Sequence, residues 1–199
     1  MTKNLVYTEK YVPFTRDVFM EKIASKLSEK RFAHVCRVEQ KALQLAEMYN
    51  YSDLEQVSIA ALAHDYAKER PDGEMIHLIE TKKMDLNLIT FGNSIWHGVA
   101  GAELVRDELH VTDEDILQAI RLHTTGAANM SELDKILYVA DYIEDGRDFP
   151  VVAEAREIAE KSLDAAVAFE TQQVLKFLIE HNHKIYPKTI ETYNRWVAD

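Results

Sequence analysis

Residues 59–68 read IAALAHDYAK, a run of small and apolar side chains that only His64 and Asp65 interrupt. The apolar residues predict a buried helix that continues through Lys68 and stops before Pro71. An unpaired carboxylate inside such a helix is very costly, so Asp65 must be paired, protonated or bound to a cation. This stretch therefore predicts a helical core with a polar centre inside it.

Apolar residues spaced three and four apart recur along most of the chain, which predicts an all-α, single-domain bundle of eight or more helices. The chain has 6 Gly and 4 Pro among 199 residues. A β-sandwich or β-barrel usually spends more of both on its turns. We divide the chain into an N-terminal arm, residues 1–16, and a helical domain, residues 17–199.

Capping residues mark several helix starts. Asp17 is the predicted N-cap of the first helix, and Ser52 forms a predicted capping box with Glu55. A single helix is expected to contain Gly98 and Gly101. Glycine normally weakens a helix, so this pair indicates a close approach between helices.

The chain carries 23 Lys and Arg against 34 Asp and Glu, a net charge of −11. This balance argues against a nucleic-acid-binding protein, and no apolar run is long enough to span a membrane. A single cysteine, Cys36, excludes an internal disulfide, and the N-terminus lacks a secretory apolar segment. We expect a cytoplasmic protein, in which the long helix over 163–183 could provide the face of a homodimer.

A second carboxylate, Asp141, stands in the apolar run ILYVADYI. Besides His64, three histidines on separate predicted helices accompany it. The remaining four of the eight histidines are expected at the surface. Imidazole and carboxylate ligands together suit Fe, Mn, Co or Zn better than Ca or Mg. Six ligands exceed what one ion with an open position needs, so they would suit two ions that share Asp65. The ordered set is His34, His64, Asp65, His97, His123 and Asp141.

The order of these residues resembles the HD-domain superfamily of metal-dependent phosphohydrolases. The segments SIWHGVAGA, AIRLHTTG and LDKILYVADYIEDGR are similar to the HD-domain symmetrical bis(5′-nucleosyl)-tetraphosphatases of bacteria, which cleave diadenosine tetraphosphate. The resemblance covers about residues 28–195. Asp145 departs from it, because that family more often has Pro there, but no ligand is affected.

The resemblance implies that the six residues bind two divalent metal ions, with iron as the metal it favours and Mn, Co or Zn as alternatives. It implies a catalytic role for Asp65 and Lys68. It also implies that PKTIETYN, residues 187–194, closes over the nucleotide. The expected substrate contacts are Arg31, His97, His123, Thr124, Asp141, Arg147, Thr189 and Asn194.

The implied reaction is attack by a metal-activated hydroxide on an inner phosphorus, which gives two ADP. The sequence alone does not decide between this outcome and attack at an outer phosphorus, which gives AMP and ATP. Two alternatives stay open: an HD-domain phosphohydrolase that acts on another nucleotide, and a non-catalytic nucleotide sensor that retains the metal. The net charge of −11 disfavours a nucleic-acid partner.

Overall fold

The computed structural model describes residues 5–198, which form eleven α-helices and one 3₁₀ helix and contain no β-strand. The all-α prediction is confirmed. None of these helices combines the length and the apolar character needed to cross a bilayer. The α-helices are α1 (Arg16–Ala24), α2 (Glu29–Met48), α3 (Leu54–Ala63), α4 (Asp72–Thr81), α5 (Asn93–Val99), α6 (Gly101–Leu109), α7 (Glu114–Leu122), α8 (Glu132–Ile143), α9 (Val152–Ala159), α10 (Leu163–Glu180) and α11 (Pro187–Trp196), and the 3₁₀ helix is Leu86–Phe91.

Helix α3 occupies the middle of the bundle. Every residue from Glu55 to Ala63 is buried, as expected for a helix that is apolar on all sides. Helices α2, α7 and α8 pack against it, and α2 also packs against α8. Three helices therefore pack around α3, whose C-terminal end leads into His64 and Asp65.

The structure corrects the predicted ends of α3. The helix ends at Ala63 rather than at Lys68, and residues 64–69 form turns in which Lys68 N–H donates to the carbonyl of Asp65, three residues back. The predicted capping box is also wrong. The N-cap is Asp53, whose side chain accepts from Gln56 N–H, because the carboxylate of Glu55 is occupied by a tertiary contact with Thr8.

The first helix is capped by Thr15 rather than by Asp17, which lies inside its first turn. Residues 5–15 contain no helix or strand, yet Tyr7, Tyr11 and Val12 are buried in the hydrophobic core. The hydroxyl of Tyr7 lies 2.8 Å from Ser58 Oγ on α3. The segment therefore packs on the bundle, and the division of the chain at residue 17 stays a prediction.

The two glycines near α5 lie at close approaches, as predicted, although the chain breaks at Ala100 into two helices instead of forming one. A Cβ on Gly101 would lie 2.7 Å from the Cβ of Ala67. A Cβ on Gly98 would lie 3.2 Å from Cε1 of His123. Both glycines thus let α5 and α6 reach the end of α3 and the end of α7.

Replacement of Gly101 by Ala should destabilise the protein by about 1–3 kcal/mol, because the new methyl group overlaps Ala67 and the packed helices must shift. Chemical denaturation of the variant measures this free energy of unfolding. Gly73→Ala is the control, since Gly73 lies in α4 and has no atom within 4 Å of its Cβ position. Equal stability of the two variants would contradict the close approach at Gly101.

Candidate metal centre

The fold brings all six predicted ligands into one cluster. Helix α2 carries His34, α5 carries His97, and α8 carries Asp141. The remaining ligands lie where α3 and α7 end. His64 is the C-cap of α3 and precedes Asp65, and His123 is the C-cap of α7. The other four histidines are exposed, as predicted: His77, His110, His181 and His183.

All four imidazoles in the cluster are held through Nδ1. The Nδ1 atoms of His64, His97 and His123 each lie 2.7 Å from a backbone carbonyl oxygen, which can accept their N–H. The carbonyls belong to Ala61, Asn93 and Ile120. Nδ1 of His34 lies 3.1 Å from a carboxylate oxygen of Glu144. With a proton on each Nδ1, the four Nε2 atoms present lone pairs to the cluster, as metal-ligating histidines do.

The Nε2 atoms of the four imidazoles lie close to one another. Nε2 of His97 lies 3.0 Å from Nε2 of His123. Nε2 of His34 and Nε2 of His64 are buried and have no hydrogen-bond partner. Burial lowers the pKa of His97 well below its ordinary value and that of His123 to about 4, so both rings stay neutral at neutral pH. Inward lone pairs of this kind fit a bound cation.

The two oxygens of Asp65 divide the cluster into halves. Oδ1 lies 3.2 Å from Nε2 of His97 and 3.9 Å from that of His123. Oδ2 lies 3.6 Å from Nε2 of His34 and 3.5 Å from that of His64. A carboxylate in this position can offer one oxygen to each half, which is what a shared ligand requires.

Asp141 completes the first half. Its Oδ1 lies 3.1 Å from Nε2 of His34 and 3.9 Å from Nε2 of His64. The ligand atoms of these three residues lie within 4.8 Å of one another, and so do those of His64, Asp65 and His123. The mixture of imidazole and carboxylate suits a divalent transition metal. The residues present thus fit the metal ions that the sequence predicts.

Three predicted cationic residues reach the cluster. An Nη1 of Arg31 donates to Oδ2 of Asp65 at 2.8 Å, and Nη2 of Arg147 donates to Oδ1 of Asp141 at 2.6 Å. The ammonium of Lys68 lies 3.3 Å from Nε2 of His97. Burial lowers the pKa of Lys68. Positive charge is therefore concentrated at this one place in an acidic protein.

The remaining predicted contacts lie on the loop after His123 and on α11. The hydroxyl of Thr124 is buried and has no hydrogen-bond partner. Thr189 is buried and Asn194 is exposed. Helix α11 is fastened over this loop, because the hydroxyl of Thr192 donates to the carbonyl of Thr125 at 2.8 Å. The roles of Thr124, Thr189 and Asn194 in binding a nucleotide stay predictions.

Sequence reasoning missed Glu144 and Arg37. Glu144 is buried at the end of α8, where it contacts His34, and Arg37 pairs with it. Its spacing of three from Asp141 was the available signal, since residues three apart share a helix face. A cleft of about 330 Å³ opens beside these residues. Its lining is Ser28, Lys30, Arg31, His34, Arg37, Glu69, Glu144, Gly146 and Arg147.

Comparison with known families agrees with this geometry. The family model described as the HD domain matches residues 31–146, which include all six ligand candidates. The chain belongs to the HD domain family.

Relatives cover nearly the whole chain. A symmetrical bis(5′-nucleosyl)-tetraphosphatase of Bacillus subtilis (strain 168) is 42% identical, over 88% of this chain and 94% of its own. One of Staphylococcus aureus (strain NCTC 8325 / PS 47) is 36% identical, over 85% of this chain and 88% of its own. The crystal structure of an HD superfamily hydrolase from Clostridium acetobutylicum, described as involved in NAD metabolism, superimposes with a TM-score of 0.88. It is 36% identical and covers 93% of this chain and 98% of its own.

Addition of Mn²⁺ or Fe²⁺ at a large excess over its dissociation constant should raise the melting temperature by roughly 5–10 °C, because the ion binds only the folded cluster. Asp65→Ala should remove most of that rise, since Asp65 serves both halves. Differential scanning fluorimetry with and without a chelator measures the shift. His181→Ala, which changes an exposed histidine, is the control. A full metal-dependent rise in Asp65→Ala would contradict the assignment of this ligand.

Proposed function

We propose that this protein is a metal-dependent hydrolase that cleaves diadenosine tetraphosphate symmetrically into two molecules of ADP. One observation carries the proposal: four imidazole Nε2 atoms and two carboxylates converge in a buried cluster beside a cationic cleft. The relatives named symmetrical bis(5′-nucleosyl)-tetraphosphatase support the choice of substrate, since they match almost from end to end.

The residues that would hold two metal ions are His34, His64, Asp65, His97, His123 and Asp141. We favour iron because the resemblance to the symmetrical tetraphosphatases implies it. Mn, Co and Zn are alternatives, because the same donor set serves all of them. When bound, such ions lower the pKa of coordinated water and neutralise charge on phosphoryl oxygens. The Nδ1 acceptors keep each Nε2 available for this role, and Asp65 offers one oxygen to each half of the centre.

The cationic side chains bind and orient the phosphate chain. Arg31, Lys68 and Arg147 lie against the ligand residues, so they face whatever anion approaches the centre. Fixed positive charge at that place stabilises the negative charge that develops on phosphoryl oxygens. His97, His123 and Asp141 lie close enough to the same place to contact the phosphate as well as the metal.

Symmetrical cleavage requires a particular register, which is the position of the phosphate chain relative to the metal centre. The oxygen of water bonds to the phosphorus that is second from one adenosine, and the bond from this phosphorus to the central bridging oxygen breaks. The bridging oxygen leaves on the other half, so each product carries two phosphates, and the two protons of the water are released when both new terminal phosphates are ionised. Binding of the nucleoside sets this register, and we assign it to Thr124 together with Thr189 and Asn194, since α11 is fastened over the loop after His123.

We also propose a cytoplasmic location, which the unpaired Cys36 supports because free thiols are typical of reducing compartments. Association of two copies through α10 stays a prediction. Phe177 and Ile179 are exposed large apolar side chains of that helix.

Chromatography of the products after incubation with diadenosine tetraphosphate tests the proposal directly. Protein purified without oxygen and loaded with iron should give ADP as the only nucleotide product, because the proposed register exposes an inner phosphorus. The matched control is Asp65→Ala, which should give no product. AMP with ATP would overturn the register and retain a phosphohydrolase. An intact substrate in the presence of bound metal would overturn the proposed activity and favour another nucleotide or a sensor.

Lys68→Met should lower kcat/KM for the same substrate on the order of 100-fold, because it removes a half-buried positive charge beside the reacting phosphate and retains most of the side-chain volume. Steady-state kinetics with quantified ADP measure the loss. Lys41→Met is the control, since Lys41 pairs with Asp145 and contacts no ligand residue. A Lys68→Met enzyme as active as Lys41→Met would exclude the proposed role.

A further inference from the structure

The two halves of the metal centre are built differently. Three of the four imidazoles hold their Nδ1 proton on a neutral backbone carbonyl. Among these four rings, only His34 has its Nδ1 facing a carboxylate, and the distance from this Nδ1 to Oε1 of Glu144 is 3.1 Å. A carboxylate acceptor fixes the ring orientation and raises the basicity of the opposite nitrogen, which strengthens the bond to a metal.

Glu144 is held firmly in that position. It is 2% exposed, Nε of Arg37 donates to its Oε2 at 2.6 Å, and Nη2 of Arg37 donates to its Oε1 at 3.3 Å. The backbone N–H of Gly146 donates to Oε2 at 2.5 Å. The guanidinium of Arg37 and the N–H of Gly146 thus fix the carboxylate in the place where its Oε1 meets Nδ1 of His34.

Gly146 completes the arrangement. A Cβ at this position would lie 2.4 Å from Nε of Arg37 and 2.6 Å from its central carbon, so only glycine leaves room for the guanidinium. The sequence EDGR, residues 144–147, thus supplies the carboxylate, the space for its cation, and the arginine that pairs with Asp141.

The imidazoles of the opposite half lack this support. Nδ1 of His97 and Nδ1 of His123 each face a neutral backbone carbonyl. Cations lie against both halves, since Lys68 is 3.3 Å from Nε2 of His97 while Arg31 and Arg147 donate to Asp65 and Asp141. The difference between the halves is therefore the carboxylate behind His34, which strengthens a metal-ligating imidazole more than a neutral acceptor does.

We propose that Glu144 is a positioning residue for His34 and that it gives the half formed by His34, His64 and Asp141 a higher metal affinity than the half formed by His97 and His123. The inference rests on the proposed metal-dependent function. It predicts two unequal metal equivalents, the tighter of which depends on Glu144.

Competition for Mn²⁺ or Co²⁺ between the protein and a fluorescent chelator measures the affinity of the protein for each of the two equivalents of metal. Glu144→Gln, which keeps the shape and removes the charge, should weaken the tighter equivalent about 10–100-fold and leave the weaker one unchanged. Asp145→Asn is the matched control: its carboxylate also pairs with a cation, Lys41, but contacts no ligand residue. It should bind both equivalents like the wild type.

A double-mutant cycle separates positioning from general stability. If Glu144 acts through His34, Glu144→Gln should have no further effect on metal affinity in the His34→Ala background, whereas a merely structural role would persist. Should Glu144→Gln fail to fold, as judged by circular dichroism, Arg37→Gln takes its place and should weaken the same equivalent several-fold.

Several results would overturn the inference. Unchanged affinity in the folded variant, equal loss of both equivalents, or an effect that persists without His34 would each contradict it while the proposed function stands. A wild-type protein that binds no metal would overturn the proposed function as well.

Discussion

Asp65 is 2% exposed and lies among four imidazole rings, and a carboxylate in such surroundings is stable only with cations at hand. The bundle is arranged to meet this need. Alanine-rich α3 delivers Asp65 to the middle of the molecule, and small residues let the neighbouring helices approach it. Gly98 lies against His123 and Gly101 lies against Ala67, so a larger side chain at Gly98 would push α5 away from His123, and one at Gly101 would push α6 away from the turn that contains Asp65.

The C-terminal ends of two helices orient the ligand histidines that follow them. The last carbonyls of a helix have no intrahelical partner, and in α3 and α7 the C-cap histidines use one of them. Nδ1 of His64 faces the carbonyl of Ala61, and Nδ1 of His123 faces that of Ile120, each three residues back. Nδ1 of His97 makes the same kind of contact inside α5, with the carbonyl of Asn93 four residues back. Each of these carbonyls can accept an Nδ1–H, which leaves Nε2 free to bind a metal.

The sequence predicts the six ligand candidates but not the end of α3, and the two cases differ physically. The six ligand candidates were readable because His and Asp interrupt apolar helical runs, where their burial demands a partner. The end of α3 could not be predicted, because the local sequence pattern continues to be helical and tertiary contacts decide where the helix stops. Glu55 illustrates the same limit, since its contact with Thr8 crosses 47 residues. Glu144 resembles an ordinary acidic residue at a helix end, and only the fold brings His34 and Arg37 to it.

The distribution of charge in this protein is uneven. The chain as a whole carries a net charge of −11. Within the cleft beside His34, however, four cationic side chains gather, namely those of Lys30, Arg31, Arg37 and Arg147. Arg37 is neutralised by Glu144 and Arg147 is shared with Asp141, so their charge is held in place by the same residues that surround the metal ligands. The ion pairs that hold the metal ligands in place therefore also hold the cations that the proposed function assigns to the phosphate chain.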